Sequence, residues 1–124
     1  MKKCLLCLVT LLLTLGVFTA CQTSSSDDSQ SKARTVEEIK QSGKIVIGVF
    51  SDKKPFGYVD SNGDYQGYDV YFGNRIAKDL GVEVEYVPVE AASRVEYLVS
   101  NKVDIILANF TVTEERKEKV DFKL

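Results

Sequence analysis

The residues best placed to do chemistry in this chain lie just after an apolar run at residues 103–108, which only Asp104 interrupts. Asn109-Phe110-Thr111-Val112-Thr113 follows that run, and Arg116 comes three residues later. In open α/β sheets, ligands bind just beyond the carboxyl ends of the strands, so a strand ending in hydroxyls and an arginine can hold a small anion. Arg116 can grip a carboxylate bidentately, a geometry lysine lacks. Thr111 offers a hydroxyl and a backbone N–H, and the carbonyl near Asn109 can accept from an ammonium. Phe50 closes another apolar run and can cover the aliphatic part of a ligand. Arg94 is a second guanidinium that reads either as a ligand contact or as a solvated arginine at a helix start. The set suits a small zwitterion. It suits catalysis poorly, because the chain has no histidine and no serine with an identifiable base beside it. Glu90, Glu114 and Glu115 read as surface charge rather than a catalytic carboxylate pair.

The elements that must position these residues can be read from spacing. Thr35-Val36-Glu37-Glu38 has the form of a capping box, and Gly43 fits the end of the helix it opens. Ile45-Val46-Ile47-Gly48-Val49-Phe50 predicts a strand buried on both faces. Segments 55–59 and 65–68 flank Asn62-Gly63 and predict a hairpin. The acidic stretch 60–64 is a turn rather than a calcium loop, since its glycine comes early and Tyr71 stands where the loop needs glutamate. Phe72, Ile76 and Leu80 predict a helix over 68–80, with Asp69 as its N-cap and Gly81 as its stop. A half-exposed strand over 82–87, a helix over 92–99 and a strand over 103–108 follow. Thr113 caps a last short, charged helix. Two strand–helix–strand units imply a parallel sheet and an α/β fold. The segments at 50–53, 89–94 and 109–111 would then share one edge with Arg116.

The 124 residues suggest one domain at most. A net charge of −2 provides no basic field for nucleic acid. No cofactor or metal is expected. Met1-Lys2-Lys3 and the apolar residues 4–18 read as a signal peptide over residues 1–20, too short for a membrane span. Cys4 and Cys7 have redox spacing but fall inside that leader. Residues 22–32 are polar and read as a tether.

From Val36 to Phe122 the chain resembles the family 3 solute-binding proteins, the extracytoplasmic amino-acid receptors of ABC importers. The resemblance rests on Thr111, Thr113, Glu115, Arg116, Asp121 and Phe122, on the segment Ser42 to Val49, and on Gly67-Tyr68-Asp69-Val70-Tyr71-Phe72. The family has an acidic residue where Tyr71 stands. Phe18-Thr19-Ala20-Cys21 is similar to a bacterial lipobox, with Cys21 as the lipidated residue; the other reading is an ordinary secretory signal. The resemblance implies a type II periplasmic-binding-protein-like first lobe over residues 35–124, with a parallel sheet and flanking helices. Residues 21–34 are then the lipidated cysteine and linker. The lobe is incomplete, since the chain stops at Leu124 where the family crosses into a second lobe, as a truncated gene or a fragment would.

The resemblance also implies that Arg116 holds the ligand's α-carboxylate, that Thr111 contacts the ligand's amino and carboxylate groups, and that Asn109 and Phe110 are backbone contacts. Arg94 sits where acidic-amino-acid receptors place a side-chain arginine. The implied function is the substrate-binding component of an amino-acid ABC importer, taking a polar or acidic amino acid such as glutamate or aspartate. Its partners would be an ABC permease and, through the lipid anchor, the outer face of the cell membrane. The other readings are a dehydratase-like enzyme on the same scaffold and a remnant whose lone lobe hardly binds. Fatty-acid labelling checks the anchor: Cys21→Ala should lose the label, and a variant that labels like the parent would exclude lipidation there.

Overall fold

The apolar run at residues 45–50 lies at the centre of the structure, a computed structural model that describes residues 32–123. The expected signal peptide, Cys21 and the tether up to Ser31 lie outside the described residues. In chain order the elements are α1 (Val36–Ser42), β1 (Lys44–Val49), β2 (Asp52–Lys53), β3 (Gly57–Val59), β4 (Tyr65–Gln66), α2 (Tyr68–Leu80), β5 (Glu83–Pro88), α3 (Arg94–Val99), β6 (Ile105–Leu107) and α4 (Glu114–Lys117). One sheet has the order β5-β1-β6, with both pairings parallel. β1 is therefore paired on both edges and covered on both faces, as its unbroken apolar sequence requires. Ile45, Ile47 and Val49 are almost fully enclosed and pack with Ile39 of α1 and Ala77 of α2.

The other face of β1 is filled by Gly48 and the residue after the strand, Phe50. A Cβ on Gly48 would lie 2.4 Å from Ile106 Cδ1 and 2.9 Å from Val89 Cγ1, so a larger residue there would have to displace both side chains. Val49 pairs with both Pro88 and Leu107, which brings the three strand ends level. The residues immediately beyond them, Phe50, Val89 and Ala108, form a second buried cluster with Tyr97 and Ile106 against it.

Local capping follows the sequence closely at two places. Thr35 N–H donates to Glu38 Oε2 at 2.6 Å and Glu38 N–H to Thr35 Oγ1 at 3.2 Å, a complete capping box. Thr113 Oγ1 accepts from Arg116 N–H at 3.3 Å. The hairpin also forms, as part of a second sheet of order β2-β3-β4, whose first strand was not expected. Its loop is held by the Asp60 carboxylate, which accepts from the N–H groups of Asn62 at 2.8 Å and Asp64 at 3.0 Å. Those bonds, Asp64 first, hold the Asp60 carboxyl below its usual range.

Three expectations are corrected. Asp69 does not cap α2: the N-cap is Gly67, with φ 114°, and no side chain bonds there. The backbone of Gly67 runs so close to Phe56 that a Cβ would lie 2.2 Å from the Phe56 carbonyl oxygen. This approach lets Asp69 N–H donate to that carbonyl at 2.9 Å and draws Asp69 into the first turn, where its Oδ2 is buried without a partner. Burial pushes its carboxyl above the ordinary range. Second, α3 starts at Arg94, because residues 90–93 form a turn closed by Ser93 N–H to Glu90 O at 3.1 Å. Third, β6 is limited to residues 105–107, since Asp104 turns its carboxylate back to Val46 N–H at 2.7 Å.

Asp104 also receives both Arg34 Nε, at 2.8 Å, and Arg34 Nη2. Arg34 reaches Ser42 Oγ at 3.0 Å and Lys44 O at 3.2 Å, so the contacts of the lobe begin before Thr35. On the other side of the sheet's core, Gly73 makes room for the Tyr86 ring. The Tyr86 hydroxyl lies 2.8 Å from Val70 O, and burial pushes its pKa up to about 12.

Two stability predictions follow from these contacts. Asp104→Ala strands the Val46 N–H and the Arg34 guanidinium; a hydrogen bond to a charged group is worth about 1.5–3 kcal/mol. Urea denaturation should show a loss of at least that order, and a smaller loss for Arg34→Ala, which leaves the Val46 contact. For Asp69, the folded state holds the proton more tightly than the unfolded chain does. Its contribution is therefore full below the ordinary aspartate pKa and is lost as pH rises through the raised value. Asp69→Asn should raise the melting temperature at pH 7, with a gain that shrinks as the pH is lowered toward 4.

Candidate functional site

Beyond the level strand ends, the chain changes character at Asn109. Its φ of 47° is left-handed, a region that few residues other than glycine enter and where asparagine is enriched. This turn ends the extended course of the chain, and Phe110 and Thr111 follow before Thr113 caps α4. Phe110 is half-buried, and its ring lies 5.2 Å from that of Phe122. The guanidinium carbon of Arg94 lies 4.7 Å from the Phe110 ring centre and that of Arg116 lies 4.9 Å from it. One aromatic ring thus carries two cations, an arrangement in which the ring's negative face offsets part of their desolvation.

The two arginines are held differently. Arg116 Nη1 donates to Thr111 O at 2.7 Å, and the side chain is otherwise half-open to solvent. Arg94 is 7% exposed and is the buried charged residue among the described residues. Its Nε donates to Ala91 O at 3.1 Å, and its Nη1 donates to Ala108 O at 2.7 Å and Asn109 O at 2.9 Å. Its guanidinium also lies 5.7 Å from the Phe50 ring centre. Burial first, and the charge of Arg116 second, pull the Arg94 pKa below its ordinary value. Among the described residues neither guanidinium pairs with a carboxylate, although Arg34, Lys44, Lys53, Arg75 and Lys117 all do.

The structure therefore gathers Phe50, Arg94, Asn109, Phe110, Thr111 and Arg116 on one edge. Thr111 is exposed there, whereas Phe50 is buried in the cluster beneath. Arg94 is not a solvated residue at a helix start; the tight turn at 90–93 directs it inward. Glu114 is an exposed partner of Lys117 at 2.8 Å, as expected of surface charge. The sequence reading missed the burial of Arg94 and the left-handed backbone at Asn109. The residue type at 109 was the one available signal for the latter. A separate apolar groove lined by Pro55, Gly67, Tyr68 and Tyr71 shares no residue with this edge.

Residues 45–124 match the family model of bacterial extracellular solute-binding proteins, family 3. The chain belongs to that family. The ABC transporter glutamine-binding protein GlnH of Bacillus subtilis is 36% identical over 98% of this chain and 47% of its own length. The cysteine-binding protein of Campylobacter jejuni superposes with a TM-score of 0.68 and 61% identity, covering 70% of this chain and 36% of that one. The arginine-bound form of domain 1 from TmArgBP gives a TM-score of 0.62 at 40% identity, over 65% of this chain and 64% of that one. A cyclohexadienyl dehydratase of Pseudomonas aeruginosa is 26% identical over 81% of this chain and 37% of its own length. The lobe is thus part of a type II periplasmic-binding-protein-like fold, and the chain spans about half the length of curated relatives such as GlnH.

Proposed function

We propose that this lobe supplies the carboxylate-binding half of an amino-acid site, as the substrate-binding component of an ABC importer. The observation that carries the reading is the pair of guanidiniums on Phe110, neither matched by a protein carboxylate among the described residues. Arg116 is the half-open member of the pair. One of its nitrogens is fixed on Thr111 O, which leaves the others to grip a carboxylate beside the Thr111 hydroxyl. Phe50 forms the floor of the site. Binding rather than catalysis is favoured, because no histidine or thiol stands at this edge.

A polar amino acid is the class supported, and the relatives named bind glutamine, cysteine and arginine. The finer expectation, glutamate or aspartate chosen through Arg94, has less support, since Nε and Nη1 of that residue are spent on carbonyls. Placement at the outer face of the cell membrane through Cys21 belongs to the same proposal. Among the described residues no helix is long and apolar enough to cross a membrane. The arginine-bound single domain of TmArgBP argues against the expectation that half a cleft cannot hold a ligand. We therefore propose weak but measurable binding by this lobe alone.

Calorimetry with L-glutamine, L-cysteine, L-arginine and L-glutamate tests the reading. Arg116→Ala should lower affinity at least tenfold for every amino acid that the parent binds, as the loss of a charged hydrogen bond worth about 1.5–3 kcal/mol requires. Unchanged affinity would place the site elsewhere.

A further inference from the structure

Arg94 has a second property that the binding reading does not use. Its Nη1 holds two consecutive carbonyls, Ala108 O and Asn109 O, while its Nε holds Ala91 O in the turn before α3. In an extended strand successive carbonyls point to opposite sides. For two of them to meet one nitrogen, the residue between them must leave the extended region, and Asn109 does so, with φ 47°. The peptides here are trans, so each N–H points opposite to the carbonyl of the same peptide unit. Drawing Ala108 O and Asn109 O toward Arg94 therefore turns the N–H groups of Asn109 and Phe110 away from it. Among the described residues nothing accepts from either N–H, nor from that of Thr111. Successive backbone N–H groups turned to one side form a concavity that favours anions.

We propose that Arg94 is a positioning residue: its buried guanidinium fixes the left-handed turn at Asn109 and so aims the backbone N–H groups of Asn109 and Phe110 at the ligand's carboxylate. This rests on the carboxylate site proposed above. It differs from a side-chain-reading role in its consequence. A positioning arginine acts on the part common to all amino acids, whereas a reading arginine acts on acidic side chains alone. Lysine, with a single nitrogen, cannot hold Ala91 O through one nitrogen and Ala108 O and Asn109 O through another as Arg94 does.

The test uses the full chain in detergent. Calorimetry with L-glutamine, L-cysteine, L-arginine and L-glutamate is run on the parent, Arg94→Lys, Asn109→Val, and Arg94→Lys combined with Asn109→Gly. Arg94→Lys should weaken all bound amino acids by a similar factor of about tenfold. Asn109→Val, a β-branched residue ill-suited to positive φ, should do the same with Arg94 intact. Glycine at 109 should recover most of the loss in the double variant, since it takes a left-handed φ without a clamp. Loss confined to L-glutamate, or parent affinity in Asn109→Val, would overturn the proposal. Backbone NMR shifts of Asn109 provide a ligand-free measure. They should leave the left-handed range in Arg94→Lys, and unchanged shifts would overturn the proposal. If the parent binds none of the four amino acids, the carboxylate site fails and the NMR result alone decides the role of Arg94.

Discussion

β1 is enclosed on both faces and paired on both edges, and the position of the arginine edge follows from that. A strand with partners on both edges and apolar side chains on both faces has little freedom of register, because a one-residue slip would exchange its two faces. Here the exchange would place Gly48 where Ile47 is enclosed and Ile47 where a larger residue would have to displace Ile106 and Val89. That steric condition keeps Val49 level with Pro88 and Leu107. The level strand ends in turn bring residues 50, 89 and 108 into one buried cluster. The edge that carries the arginines is thus set by side-chain volume several residues away, before any polar contact contributes.

On that edge electrostatics and packing act in opposite senses. Two guanidiniums near one ring repel each other; burial first, and that repulsion second, lower the Arg94 pKa. Carbonyl oxygens and the Phe110 ring compensate in part, through hydrogen bonds and cation–π contact. A carboxylate would complete the compensation, and none of the described protein carboxylates does so. Lys44 and Arg75, by contrast, pair with carboxylates at the surface, where such pairs are worth little.

Much of the fold could be read in the sequence wherever a local rule was sufficient. The capping box at Thr35 and Glu38, the cap at Thr113, the hairpin at Asn62-Gly63 and the buried run at 45–50 each depend on contacts within a few residues. The failures depended on contacts between distant segments. Asp69 has the right chemistry for an N-cap, but the close approach of Phe56 to Gly67 displaced it. Arg94 has the chemistry of a surface residue, and its burial depends in part on carbonyls just after β6, fourteen and fifteen residues later. The strand β2 was missed because two exposed residues carry no apolar pattern.

The Arg34–Asp104 pair has a mechanical consequence. Arg34 grips the chain at Lys44 O, where β1 begins, and at Asp104, just before β6, whereas the arginine edge lies past the far ends of those strands. At about 3.3 Å per residue the two ends of β1 are roughly 20 Å apart. Tension applied to residues preceding Lys32 would reach this bidentate clamp before it reached β1 or β6. The strand ends, and the turn at Asn109, would be the last part of the sheet to feel the pull.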